Sequence, residues 1–240
     1  MSKDMDFYSV WSEMRANGIE DNAAIISFLT GSESALAPLY NGTEQELEQV
    51  FSVLDSIPIE HFFDVIETLE LERALVPADV PCFSNFENGA SRLNELLEFE
   101  PDGLTFSDAG YQLMNSVKPG ARVKYGENHS KLAAMMSLVT ISNSRPAVVK
   151  ATVWGEFLTR YDLKRKAGVL QKLLLRDLCV KTIVKSALQG PATYRDAVKA
   201  LSLSTALRRR TNVKCLVEFV LSGTDREEVL SRIDWEMQVM

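Results

Sequence analysis

The chain has 240 residues, enough for one to three domains, and its 46% hydrophobic and 25% charged residues are typical of a globular protein. Its apolar runs stay shorter than the roughly 18 residues that a membrane span requires, and the acidic N-terminus lacks the apolar core of a signal peptide. We therefore expect a cytoplasmic protein without membrane contact.

The charge is divided unevenly along the chain. Residues 1–110 carry a net charge of −18 and residues 111–240 a net charge of +11, which the total of −7 conceals. A basic half can bind phosphate, so this division predicts nucleic-acid binding by the second half.

The residue patterns of enzymes and metal sites are missing from the sequence. The only histidines are His61 and His129, and there is no G-x-S-x-G, no H-E-x-x-H and no Gly-rich phosphate loop. The three cysteines are far apart and show no C-x-x-C spacing, which indicates buried thiols rather than a disulfide framework or a zinc site. We therefore expect no enzyme activity, no cofactor and no metal.

The acidic half is predicted to be mostly helical. Residues 1–42 form an N-terminal helical segment with short helices at 7–14 and 23–29. A clearer helix begins at Thr43, because Glu46 three residues later completes a capping box. The later elements of this half are an amphipathic helix at 59–71, an irregular link through Pro77 and Pro81, and a helix at about 88–97.

A β-hairpin is predicted after that helix, since the apolar runs 97–99 and 104–106 flank the turn sequence Pro101-Asp102-Gly103. The order then recurs, with a helix at about 128–136 and strands at 138–141 and 147–153. The two copies also agree in sequence. Arg92-Leu93-x-x-Leu96-Leu97 matches Lys131-Leu132-x-x-Met135-Met136, and Ser107-x-x-Gly110-x-x-Leu113 matches Thr152-x-x-Gly155-x-x-Leu158. We interpret this as an internal repeat.

A helix that leads into a β-hairpin and is closed by [ST]-x-x-G-x-x-L resembles the winged helix-turn-helix proteins. The resemblance covers roughly residues 43–160. It implies DNA binding and a mainly α fold with small β-hairpin wings. It also implies two tandem winged-helix units, at 43–106 and 107–160.

A third unit is predicted at 161–240. A long basic helix at 167–188 ends at Gly190-Pro191, and Thr193 then caps a short helix. Ser202 or Ser204 caps a longer helix that runs through Val220. A short helix, a turn and a longer helix form the helix-turn-helix arrangement.

This last helix carries the first set of candidate DNA-binding residues. Its polar face consists of Ser204, Thr205, Arg208, Arg209 and Asn212. Arg and Asn are the residue types that make paired hydrogen bonds to guanine and adenine. The alternative is a solvated, Arg-rich helix face.

The second set lies in the unit at 107–160 and just after it. We expect Asn128, His129 and Lys131 on the first turn and a half of the helix, with Arg122 and Lys124 in the approach to it. Arg145 is expected at the tip of the wing. The basic stretch 160–166, with Lys164 and Arg165, either follows the phosphate backbone between two units or is a solvated linker. The unit at 43–106 carries Glu87 and Glu95 on its corresponding helix, which indicates packing or partner binding instead.

The sequence thus predicts a non-catalytic protein that binds double-stranded DNA through residues 111–220, as a sequence-preferring transcriptional regulator. An adaptor subunit of a restriction, defence or replication complex is the first alternative, with self-association or a protein partner at the acidic N-terminal half. The second alternative is a protein-interaction module without DNA binding, whose acidic half folds onto the basic half.

Overall fold

A computed structural model describes residues 22–71, 73–114 and 118–237. The predicted helix at 7–14 lies outside these residues. The chain divides into two compact units, each assembled from non-consecutive segments, whereas the sequence predicted consecutive units at 1–42, 43–106, 107–160 and 161–240. The terminal unit comprises 22–35, 53–71, 73–82 and 171–237, and the central unit comprises 36–52, 83–114 and 118–170.

The described residues are mainly helical. The α-helices are α1 (Asn22–Thr30), α2 (Glu33–Asn41), α3 (Glu44–Ser56), α4 (Ile59–Thr68), α5 (Leu93–Leu97), α6 (Phe106–Leu113), α7 (Pro119–Met135), α8 (Val153–Leu158), α9 (Leu163–Leu174), α10 (Leu178–Gln189), α11 (Tyr194–Ala197) and α12 (Leu203–Leu221). The strands are β1 (Leu104–Thr105), β2 (Val139–Ile141), β3 (Val148–Ala151), β4 (Ala192–Thr193) and β5 (Ile233–Asp234). A π-helical turn (Asn88–Arg92) leads into α5, and a 3-10 helix (Glu227–Arg232) leads into β5.

The central unit contains a three-stranded antiparallel sheet in the order β1-β3-β2. The second predicted hairpin is confirmed, because β2 and β3 pair across a turn that places Ile141 opposite Val149. On the other edge of β3, Leu104 of β1 also lies opposite Val149. The side chains of Leu104, Val139 and Val149 are buried, so one face of the sheet covers the core of this unit.

The first predicted hairpin is wrong. Residues 97–99 do not form a strand, because Leu97 ends α5 and the chain then turns. Gly103 has a φ of +83°, and its N–H donates to the carbonyl of Glu100 at 2.8 Å. The run at 104–106 supplies only the two-residue strand β1, whose partner is β3 rather than its neighbour in sequence. Phe99, expected in a strand, is 81% exposed.

The predicted repeat pairs Ser107 with Thr152, and this register is wrong. Strands β1 and β3 each run into a threonine that caps the next helix. Thr105 Oγ1 accepts from the N–H of Asp108 at 3.2 Å, and Thr152 Oγ1 accepts from the N–H of Gly155 at 2.8 Å. The counterpart of Thr152 is therefore Thr105 and not Ser107.

The long helix predicted at 167–188 is also wrong, since the structure has two helices there, α9 and α10. Asp177 lies between them and caps α10, where its Oδ1 accepts from the N–H groups of Cys179 and Val180 at 2.9 and 3.0 Å. An aspartate at the N-cap begins a new helix because it satisfies backbone donors that a continuous helix would have bonded internally. In the same terminal unit, Cys179 is buried as expected, whereas Cys82 and Cys215, also predicted to be buried, are partly exposed.

A short and a longer helix are present near the C-terminus, where the sequence predicts them. Thr193 caps α11, a single turn that ends at Ala197, and Ser202 caps α12. The apolar stripe of α12 faces the core, with the exception of Leu203, which is 40% exposed. Strand β4, directly before α11, pairs in parallel with β5.

Candidate nucleic-acid interface

Helices α6 and α7 of the central unit lie in backbone contact. A Cβ atom on Gly110 would lie 2.0 Å from the carbonyl oxygen of Arg122, and one on Gly126 would lie 1.9 Å from the carbonyl oxygen of Phe106. Only glycine fits at either position, so these two residues set how closely the helices approach. The contact fixes which side of α7 turns inward and which side remains exposed.

The exposed side of α7 carries Lys124, Glu127, Asn128 and Lys131, which we call the α7 face. The lysine side chains are 63% and 61% exposed and that of Glu127 is 22% exposed. Helix α7 begins at Pro119, so Arg122 and Lys124 lie within it rather than in its approach. For the same reason Asn128 and Lys131 occupy its second half, and their predicted place on its first turn and a half is wrong.

A single carboxylate binds both lysines of the α7 face. Lys124 Nζ donates to Glu127 Oε2 at 2.8 Å, and Lys131 Nζ donates to Glu127 Oε1 at 2.6 Å. The hydrogen bond from Lys124, and next the one from Lys131, lower the pKa of Glu127 below its usual value. The carboxylate is therefore ionised at neutral pH and offsets part of the positive charge of the helix.

His129 is a core residue, so its predicted role as a DNA contact is wrong. Its side chain is 0% exposed. Its Nδ1 lies 2.8 Å from the carbonyl oxygen of Tyr125, and its Nε2 accepts from the backbone N–H of Asn85 at 3.3 Å. This pattern requires a neutral ring with its proton on Nδ1. Burial lowers the pKa of His129, and no DNA base or phosphate can reach the ring.

We expect His129 to make the stability of the protein depend on pH. Because the pKa of His129 is lower in the folded chain than in the unfolded chain, the unfolded state takes up a proton first as the pH falls through about 6.5. The histidine therefore costs nothing above that pH and destabilises the fold below it. The free energy of unfolding, measured in urea, should fall more between pH 7.5 and pH 5 for the wild type than for His129→Gln. An equal fall in the two proteins would contradict this role of His129.

The β2–β3 hairpin belongs to the same unit and exposes Arg145 at its tip, the position in the hairpin that the sequence predicts. The turn is held by serine hydroxyls, since Ser142 Oγ accepts from the N–H of Val148 at 2.8 Å and Ser144 Oγ donates to the carbonyl of Pro146 at 2.8 Å. Lys150, which the sequence analysis missed, is exposed on β3. Alternation along the strand could have found it, because the neighbouring Val149 is buried.

The basic stretch at 160–166 is not a linker. Helix α9 begins at Leu163, and Asp162 Oδ1 accepts from the N–H of Arg165 at 2.8 Å. Lys164 and Arg165 therefore lie on the first turn of α9; both are exposed, and the Arg165 guanidinium lies 5.3 Å from the ring centre of Phe51. Arg122 of α7 makes a similar contact with the ring of Tyr111, at 4.8 Å.

Helix α12 of the terminal unit holds the other predicted set. Ser204 and Arg208 are exposed, and Thr205 and Asn212 are half-buried. Arg209 Nη1 instead donates to the carbonyl oxygens of Pro77 and Val80 within the terminal unit. Base contact by Arg209 would require breaking both hydrogen bonds, so the predicted set is not presented as one surface.

Three lysines of the terminal unit bind backbone carbonyls at helix ends. Lys172 donates to the carbonyl of Leu54 in the last turn of α3, Lys181 donates to that of Leu29 in α1, and Lys185 donates to that of Leu69 at the end of α4. Carbonyls in the last turn of a helix lack partners and carry partial negative charge, which a cation stabilises. Part of the positive charge in the second half thus serves the fold.

The structure shows an internal match that the sequence analysis missed. Leu104-Thr105-Phe106-x-Asp108-Ala109 aligns with Ala192-Thr193-Tyr194-x-Asp196-Ala197. Each segment is a short strand that enters a helix through a threonine N-cap, whose hydroxyl accepts from the backbone N–H of the aspartate and donates to its carboxylate. A long helix follows in both cases, in which Asn128 directly precedes the buried His129 and Asn212 directly precedes the buried Val213. The motif T-[FY]-x-D-A in the sequence could have revealed this pair.

No protein-family model, curated protein or solved structure matches the chain. Across residues 22–71, 73–114 and 118–237, no helix is both long and apolar enough to cross a bilayer.

Proposed function

We propose that the central unit binds double-stranded DNA without catalysis, with α7 in the major groove and the β2–β3 hairpin along the backbone. The observation that carries this proposal is the order of α6, α7 and a hairpin with an arginine at its tip. This order fits the winged helix-turn-helix interpretation of the sequence, in which the second helix of the pair contacts base edges. The match between 104–109 and 192–197 extends the same interpretation to α11 and α12.

Charge supports the placement of DNA on the segment of the central unit that holds α7 and the β2–β3 hairpin. Residues 118–166 carry 10 Lys and Arg against 3 Asp and Glu, a net charge of +7, whereas residues 36–52 and 83–114 of the same unit carry 1 against 9. Lys124, Lys131, Arg145 and Lys150 are exposed there and can reach phosphates. Asn128 belongs to the residue type that pairs with adenine.

Removing three of these cations should lower the affinity for DNA and make that affinity less sensitive to salt concentration. For the triple variant Lys124→Ala, Lys131→Ala, Arg145→Ala we expect the log–log slope of affinity against salt to become shallower by roughly 0.9 for each phosphate that the variant no longer neutralises. Fluorescence anisotropy with a labelled mixed-sequence duplex at several salt concentrations measures this slope.

The matched control removes three cations of the terminal unit that lie outside α11 and α12, at Arg73, Arg226 and Arg232, whose side chains all reach solvent. Both triple variants change the net charge by the same amount. An equal loss of affinity in the two would show that binding follows total charge and that the central unit holds no specific interface.

A protein-interaction module without DNA binding is the second candidate. It is favoured by the internal use of Lys172, Lys181, Lys185 and Arg209, which bind backbone carbonyls of residues 29–80. Absence of binding to any duplex at low salt would select this candidate. If DNA does bind, sedimentation with and without DNA separates a dimeric regulator from an adaptor subunit that is monomeric alone.

A further inference from the structure

An acidic side chain lies at the centre of the basic α7 face. Glu127 is one helical turn from Lys124 on one side and from Lys131 on the other, and both ammonium groups bind its carboxylate. The two ion pairs stabilise the helix, but in a helix that contacted only phosphates this carboxylate would oppose DNA binding, because a negative charge repels the backbone. The position of Glu127 therefore points to a ligand group that donates hydrogen bonds.

The carboxylate keeps capacity for such a donor. An ionised carboxylate has about four acceptor positions on its two oxygens, and each oxygen accepts one bond from a lysine, at 2.8 and 2.6 Å. One position on each oxygen is thus left for a further donor. The side chain is 22% exposed and lies on a helix side that faces solvent.

The major groove offers one base edge that suits a carboxylate best. Cytosine presents its N4 amino group there as a donor, and glutamate and aspartate are the side chains that accept from it. Adenine also presents an amino group, but its neighbouring N7 is an acceptor that would repel the second carboxylate oxygen. Guanine and thymine present acceptors to the groove, which a carboxylate disfavours.

We infer that Glu127 is a specificity-determining residue that accepts a hydrogen bond from the N4 amino group of a cytosine in the major groove. This inference rests on the proposed function. Lys124 and Lys131 hold the carboxylate in position and offset its repulsion of the backbone. On a site that lacks the cytosine, the carboxylate gains no donor and opposes binding, so the same residue suppresses non-specific association.

Selection of duplexes from a random pool by the full chain tests this assignment. The wild type, Glu127→Gln and the control Glu156→Gln are compared, since Glu156 is an exposed glutamate of α8 in the same unit. We expect the wild type and the control to enrich cytosine at one position of the site. Glu127→Gln should lose that enrichment and bind a mixed-sequence duplex about tenfold more tightly.

The outcomes separate this inference from the proposed function. Identical base preferences in the wild type and Glu127→Gln would overturn the role of Glu127 and leave DNA binding intact, as would wild-type binding without any base preference. Absence of binding by all three folded proteins at low salt would overturn the proposed function itself. Thermal unfolding of each protein confirms that a loss of binding is not a loss of fold.

Discussion

Replacing Gly110 with alanine should lower the free energy of unfolding by about 3 kcal/mol or more. The new methyl group would lie 2.0 Å from the carbonyl oxygen of Arg122, which belongs to the backbone of α7 and cannot rotate away. The two helices must then separate, which disrupts the packing beneath α7. Gly126→Ala should have a similar effect, because its methyl group would lie 1.9 Å from the carbonyl oxygen of Phe106. Urea unfolding followed by circular dichroism measures both changes.

Gly120 provides the matched control on the same helix. A Cβ atom there meets nothing within 4 Å, and alanine is the better helix former, so Gly120→Ala should raise stability by about 0.5–1 kcal/mol. Opposite signs for Gly120→Ala and Gly126→Ala would show that the contact between α6 and α7 decides the outcome. A loss below about 1 kcal/mol for Gly110→Ala would show that the helices can separate without cost.

The local features of the fold were predictable from the sequence. Thr43 and Glu46 form the expected capping box, in which the backbone N–H of Thr43 donates to Glu46 Oε2 at 2.7 Å. Ser202 likewise caps α12, and the turn between β2 and β3 lies where expected. Each of these depends on residues within a few positions of one another, and a single sequence contains that information.

The pairing of β1 could not be predicted in the same way. Its partner β3 lies more than 40 residues later in the sequence, and β1 has only two residues, Leu104 and Thr105, with which to specify it. The turn at 101–103 was recognised correctly, but a turn does not fix which strands it joins. The start of α7 at Pro119 could not be predicted either. Its first two turns are mostly exposed, so they lack the apolar residues at 3.6-residue spacing that indicate a helix.

The candidate interface was only partly predictable, because charge does not indicate where a cation binds. Arg145 and Lys131 are exposed as expected, whereas Arg209, one position after the exposed Arg208, binds two backbone carbonyls. Those carbonyls belong to residues 77 and 80, about 130 positions earlier. Periodicity places Arg209 on a polar face of α12 but cannot show that another segment of the chain covers that position.

Arg209→Ala should therefore lower the free energy of unfolding by about 2 kcal/mol. Hydrogen bonds from a charged donor each contribute about 1.5–3 kcal/mol when buried, and the bond to Val80 is only partly buried. The variant leaves the carbonyls of Pro77 and Val80 without this donor and frees the link at residues 77–81. Chemical unfolding of the full chain measures the loss.

Arg208→Ala is the matched control, since it removes the same side chain from the adjacent, exposed position and should change stability by less than about 0.5 kcal/mol. DNA affinity measured on the same two variants decides between the two roles of this helix. If Arg209→Ala keeps full stability but loses DNA binding, its hydrogen bonds to the carbonyls are dispensable and the base-contacting role predicted from the sequence is restored. If it loses stability while Arg208→Ala does not, Arg209 belongs to the fold, and any contact of α12 with DNA must come from Arg208 and its exposed neighbours.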